Sequence, residues 1–301
     1  MRVTLLAILF CVCTNATLLA QDQQPKLITW QEIAALPLPA PDHKLQYGPD
    51  SLQFGELRLP QGKGPFPVVV VVHGGCWLSA YNLNYMSHVS EALTKEGYAT
   101  WNIEFRRVGD AGGGYPGTFR DVAMATDFVR KMAKKYPVNS KKVAVMGHSA
   151  GGHLALWLAA RKGLSRKSDL YTKKPLKLRG VIALAGIPDL ATYSMDKGSC
   201  NTAVEKLMDG MPGAQPYRYR QASPAQMLPL GVPQRLVQGA NDPIVPVTQS
   251  QQYAHSAKAK GDDTQVILLE NTGHFDVVAP MSAAWPSILS AVKEVLPVKR
   301  H

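Results

Sequence analysis

Gly147-His148-Ser149-Ala150-Gly151, with Gly152 following, lies between the strand-like run Val143-Ala144-Val145-Met146 and a helical pattern that begins at Ala150. A serine flanked by glycines at such a junction has the setting of a nucleophile elbow. Its hydroxyl attacks poorly unless it projects from a tight turn toward a base, and the glycines let the backbone cross at close range without Cβ clashes. The helix N-terminus behind Ser149 favours the negative charge that develops as an oxygen attacks a carbonyl. The chemistry implied is acyl transfer, which needs three more parts: a base, a carboxylate to orient it, and donors for an oxyanion.

Each part has a place in the chain. His73-Gly74-Gly75-Cys76-Trp77 follows the run Val68 to Val72 and offers unobstructed backbone amides, so Gly74 or Gly75 is expected to form an oxyanion hole together with Ala150. His73 itself reads as a residue that orders this loop. The base is expected after the last strand, where Asn271-Thr272-Gly273-His274-Phe275 supplies His274; the remaining histidines flank the elbow, sit on surface helices or lie near the termini. The acid is expected after the preceding strand, at Asp242 in Asn241-Asp242-Pro243-Ile244-Val245-Pro246, with Asp189 in Ile187-Pro188-Asp189-Leu190 as the alternative. Trp77 is the candidate substrate-binding side chain.

These loops must be held by strands. Pro67 to Val72 is a continuous β-branched run of the kind covered on both faces, and Ser51 to Leu59 alternates like an outer strand. Further strands are expected near 99–104, 142–146, 180–185, 234–237 and 265–269, separated by helices near 85–95, 119–136, 150–161, 247–260 and 285–296. Such alternation predicts a mostly parallel central sheet of about eight strands with helices on both faces. Thr29-Trp30-Gln31-Glu32 carries a capping-box pattern for a short helix within an N-terminal extension, residues 21–50, ahead of one large domain, residues 51–301. Residues 187–230, rich in Pro, Tyr and Met, break the rhythm and are expected to form a lid-like insertion. Its Tyr193, Met195, Met208, Met211, Tyr217 and Tyr219 could line a pocket or simply pack the insertion down.

Residues 1–20 have the charged start, short apolar core and small-residue end of a secretory signal peptide, cut after Ala20 or after Ala16, which predicts a secreted or periplasmic protein with no stable membrane span after cleavage. Of four cysteines, Cys76 and Cys200 then remain, free to pair in an oxidising compartment or to stay as buried thiols. The net charge is +11, and the densest basic run, Arg161 to Arg179, holds eight Lys or Arg against only Asp169. It reads as a solvated loop with some attraction for anionic surfaces or polymers; with only Tyr171 interleaved, nucleic-acid binding is not expected. Gly112-Gly113-Gly114 lacks the lysine and helix start of a phosphate cradle. Arg106 and Arg107 could hold a substrate carboxylate but more often pair with Asp121 or Asp110. No metal-ligand spacing occurs, and no cofactor is implied.

Together these residues resemble the α/β-hydrolase superfamily, and His73-Gly74-Gly75-Cys76-Trp77 is similar to the H-G-G-x-W signature of kynurenine formamidases and related small acetyl esterase-like carboxylesterases. Asn102-Ile103-Glu104-Phe105-Arg106-Arg107 and Tyr115-Pro116-Gly117-Thr118-Phe119-Arg120-Asp121 are similar to the Y-R and P-x-x-x-x-D stretches of that branch, with Phe105 where a tyrosine is common. The resemblance implies the α/β-hydrolase fold, a Ser149–Asp242–His274 triad, the oxyanion glycines and hydrolysis of a small-molecule ester or amide. Beside the small-ester reading stand an arylformamidase, a polysaccharide acetyl esterase and a catalytically inactive binding module on the same scaffold.

Overall fold

The computed structural model describes residues 26–196, 198 and 200–298, so the signal-peptide expectation lies outside the described residues. Eight strands, β1 (His43–Gln46), β2 (Phe54–Arg58), β3 (Phe66–Val72), β4 (Ala99–Ile103), β5 (Val138–His148), β6 (Val181–Leu184), β7 (Gln234–Gly239) and β8 (Thr264–Leu269), form one sheet in the order β1-β2-β4-β3-β5-β6-β7-β8. From β4 to β8 all neighbours are parallel, while β1 and β2 join antiparallel.

The helices are α1 (Trp30–Ala34), α2 (Ser87–Lys95), α3 (Gly117–Asp127), α4 (Val129–Met132), α5 (Ala150–Ala160), α6 (Leu190–Met195), α7 (Asn201–Met208), α8 (Pro216–Ala222), α9 (Val247–Ala259) and α10 (Trp285–Val295). They cover both faces of the sheet, which is why β3 could be apolar throughout. Val68, Val70 and Val72 enter the core that holds α3, α4, α5 and α9, and Val69 and Val71 enter the opposite core with α2 and α10. A strand whose side chains alternate between two dry interfaces gains burial on both, at about 25 cal/mol per Å² of apolar surface.

One expectation needs correction. The outer strand read at 51–59 is β2, but β1 lies outside it, so part of the presumed N-terminal extension belongs to the sheet. His43-Lys44-Leu45-Gln46 alternates between half-buried and exposed, and its single aliphatic residue gives no strand signal. Within 187–230 the described residues form α6, α7 and α8 and no strand.

Candidate active site

β5 delivers Ser149 at its carboxyl end, and the backbone there leaves the ordinary regions: Ser149 has φ 53° and ψ −121°. Such a conformation costs on the order of 1–3 kcal/mol and persists only where its surroundings impose it. Here they do. A Cβ on Gly147 would lie 2.1 Å from the Gly151 carbonyl oxygen, and one on Gly151 2.2 Å from that of Val72, so the turn fits only because both positions are glycine. The Ser149 N–H donates to the Leu184 carbonyl at 2.8 Å, which fastens the elbow to the end of β6.

The loop after β3 is strained in the same way. Gly75, Cys76 and Trp77 take successive positive φ angles of 102°, 51° and 58°. Among the described residues no protein acceptor takes the N–H of Gly75 or of Ala150, the first residue of α5. Gly74 packs directly on the elbow, where an added Cβ would lie 3.0 Å from the His148 carbonyl. His73 braces the loop as expected. Its Nδ1 meets the Gly74 carbonyl at 2.8 Å, its Nε2 meets Glu104 Oε1 at 3.1 Å, and its ring stacks on Phe105. Burial would raise the Glu104 carboxyl, but His73, Arg107 and the Phe105 N–H outweigh it and hold the group below its usual pKa.

Asp242 and His274 come together from the loops after β7 and β8. Asp242 Oδ2 bonds His274 Nδ1 at 2.8 Å and accepts from Gln238 Nε2 at 3.1 Å, while Oδ1 accepts the N–H groups of Ile244 and Val245. A fully buried carboxylate is tolerable with four such partners, two of them backbone amides drawn in by the tight turn before Pro246. The bond to Nδ1 leaves Nε2 as the ring nitrogen able to exchange a proton. Asp189, the alternative acid, is otherwise engaged: it caps α6, accepting from the N–H groups of Ala191 and Thr192 and from the Thr192 hydroxyl.

The elbow and the histidine loop meet through His148. Its Nε2 bonds the His274 carbonyl at 2.8 Å, and its Nδ1 meets the Tyr85 hydroxyl at 2.7 Å. Burial, with His274 beside it, drives its pKa well below the usual value, so the ring is neutral. Tyr85 in turn stacks on Trp30 of α1. Next to it the Ile28 N–H reaches Asp276 Oδ2 at 3.3 Å, and the same oxygen accepts the Gly273 N–H at 2.9 Å. The N-terminal segment is therefore a brace on the histidine loop. Sequence reading left out Trp30, Tyr85, Gln238 and Asp276; only the capping box of α1, which forms as expected, hinted at an ordered segment there.

Of the candidate binding residues, Trp77 changes role, the insertion side chains divide between their two readings, and Arg106 and Arg107 take the ion pairs expected of them. Trp77 is only 1% exposed, and its indole N–H donates to His153 Nδ1 at 3.1 Å, so it ties the strained loop to α5 rather than offering a wall to a ligand. In the insertion Tyr193, Met208 and Tyr219 are buried core, whereas Met195 and Tyr217 are 71% and 47% exposed; the first group packs the insertion down and the second faces solvent. Arg106 makes a bidentate pair with Asp121, and Arg107 pairs with Asp110 and Glu104, so neither is free for a substrate.

Cys76 and Cys200 are disulfide-bonded with Cα atoms 5.2 Å apart, joining the strained loop to the start of α7. The insertion is also held by Tyr193, whose hydroxyl donates to the Ile244 carbonyl, and by His153 and Trp157 of α5, which bond the carbonyls of Ala222 and Gln221. It is thus tied to the strained loop, to the loop after β7 and to α5.

The BD-FAE family model matches residues 56–256, more than half of the chain. The chain belongs to that family. Its fold is that of the α/β-hydrolase superfamily, and this BD-FAE chain is 26% identical over 292 residues to acylamino-acid-releasing enzyme 1 of Oryza sativa subsp. japonica, across 84% of its own length and 36% of the relative's. It is 26% identical over 252 residues to esterase LipC of Mycobacterium tuberculosis, across 78% of its own length and 60% of the other's. It thus spans between about a third and three fifths of these relatives. A solved truncated carbohydrate esterase from gut microbiota has the same fold, with a TM-score of 0.72, 19% identity, and coverage of 86% of this chain and 97% of that one.

Proposed function

We propose that this chain is a serine hydrolase that cleaves small carboxylic esters through an acyl-Ser149 intermediate. The observation that carries the reading is the Asp242–His274 pair, whose histidine backbone is hydrogen-bonded to the residue next to Ser149. His274 Nε2 takes the Ser149 proton as Oγ attacks the carbonyl carbon, and the oxyanion accepts from the N–H of Ala150 and of Gly74 or Gly75. His274 then returns the proton to the leaving alcohol. Water, deprotonated by the same nitrogen, releases the acid and frees Ser149. Asp242 keeps the imidazole in the tautomer this cycle needs.

Esters on a polysaccharide, acetyl esters first, are the second reading, favoured by the likeness to a carbohydrate esterase. Export by a leader at residues 1–20 would suit such a polymer, and among the described residues no helix is long and apolar enough to cross a membrane. N-terminal sequencing of protein recovered outside the cytoplasm tests that part.

The test of the reaction is Ser149→Ala assayed on p-nitrophenyl acetate, N-formylkynurenine and acetylated xylan. The variant should lose on the order of 10⁴-fold or more in kcat on whichever the wild type hydrolyses. Preference for the formanilide would make it an arylformamidase. Wild-type protein that hydrolyses none of the three and does not label with a fluorophosphonate would instead be a binding module.

A further inference from the structure

At the amino end of β5, away from Ser149, the chain forms an open cleft of about 870 Å³ lined by Arg130, Lys141, Lys162, Lys174, Lys177 and Arg179, with no Asp or Glu among its lining residues. The fold builds it. The β3–β5 ladder skips between Val138 and Val143, which sets Lys141 outside regular pairing. Arg130 donates to the Lys174 carbonyl at 2.9 Å and Arg179 to the Lys141 carbonyl at 3.2 Å, fixing the walls to each other. Arg130 shares Asp127 with Arg161, but Lys141, Lys162, Lys174, Lys177 and Arg179 have no ion-pair partner among the described residues. All six cationic side chains are exposed.

Gathering so many like charges around one hollow raises the local concentration of anions, and nothing in the proposed reaction uses them. Pro175, Leu176 and Leu178 also line the cleft. No aromatic ring lines it to stack a base, as single-stranded nucleic acid requires. None of the exposed large apolar side chains belongs to it, so it lacks the anchors of a membrane-binding surface. A concave cationic rim over a small apolar floor fits an extended chain of sugars bearing acidic groups.

We propose that this cleft binds a linear anionic polysaccharide. The strand from Val143 to Ser149 separates it from the elbow by roughly 20 Å, so a polymer held here is tethered to the molecule without entering the site. Small substrates are unaffected by the tether.

The experiment measures binding of the full chain to immobilised polygalacturonate, dextran sulfate and neutral dextran at increasing salt. Wild type should bind both charged polymers, weaken steeply with salt, and leave dextran alone. The fourfold variant Lys141→Gln, Lys162→Gln, Lys174→Gln, Lys177→Gln should bind about tenfold more weakly or worse, with unchanged circular dichroism and thermal midpoint. A control with the same charge loss at exposed sites elsewhere, Lys63→Gln, Lys206→Gln, Lys258→Gln, Lys260→Gln, should keep most of the affinity. Equal losses in the two variants would reduce the effect to net charge and overturn the proposal. So would retention of binding by the cleft variant, or tighter binding to a single-stranded oligonucleotide or to anionic vesicles than to either polysaccharide.

Discussion

His148 Nε2 donates to the carbonyl of His274 at 2.8 Å, and the two rings lie 4.4 Å apart between centroids. The residue preceding the proposed nucleophile thus sets the backbone of the proposed base. Because Tyr85 donates to Nδ1, the proton on Nε2 is fixed in place. His148→Ala should lower kcat on a small ester by roughly 10–100-fold through misplacement of His274, with little change in KM. His148→Gln, which can still donate to that carbonyl, should recover part of the loss. If kcat holds while only the thermal midpoint drops, His148 is a packing residue and nothing more.

The two candidate acids separate cleanly by readout. Asp242→Asn should cost on the order of 10⁴-fold in kcat, since an amide at that place favours the wrong histidine tautomer. Asp189→Ala should instead lose a helix cap, about 1 kcal/mol in denaturant unfolding, and keep nearly wild-type kcat. The opposite pattern would transfer the acid role to Asp189.

The Cys76–Cys200 link closes a loop of 124 residues between the strained loop after β3 and the start of α7. Peptide mapping of unreduced protein should find these two cysteines in one linked peptide. Cys76→Ser with Cys200→Ser should cost roughly 2–4 kcal/mol of stability. It should also lower kcat, because Cys76 follows Gly75 in the strained loop. Unchanged unfolding midpoints with and without reductant would argue against a structural role for the bond.

Acid should weaken the fold through two buried histidines. Burial pushes His153 down to about 4 from its ordinary 6.5, and its Nε2 reaches the Ala222 carbonyl. Below pH 6.5 the unfolded chain takes up a proton that the folded ring refuses until about pH 4, so stability is full above the first value and falls between the two. The loss from His153 alone is about 3 kcal/mol across that window, and His148 shifts in the same direction. Urea unfolding at pH 7.5 and pH 4.5 measures it, and His153→Gln should flatten the dependence. A slope that His153→Gln leaves untouched would show that other groups govern acid unfolding.

Much of this was visible in the sequence for a physical reason. Strands buried on both faces demand unbroken β-branched runs, and a turn that must place backbone against backbone demands glycine, so β3 and the elbow announce themselves in composition alone. Asp242 and His274 were placed by which strand each follows. Trp77 was misread because an aromatic beside a proposed site looks the same in sequence whether it faces a ligand or the core; only its bond to His153 decides. Gln238 carries no local pattern at all, since its value lies in reaching a carboxylate four residues on. β1 was missed because an edge strand with one solvated face and four residues need not be apolar.

The family match begins at residue 56, yet the molecule that works as a unit begins earlier. A chain started at that residue would lose β1 and the first two residues of β2, leaving the remaining edge of the sheet unpaired and inviting a second copy to add its own strand. It would also strip Trp30 from Tyr85 and the Ile28 amide from Asp276, loosening the histidine loop from outside. A fragment cut to the homologous region would therefore be both sticky and slow, and neither fault would be traceable to a residue within the region retained.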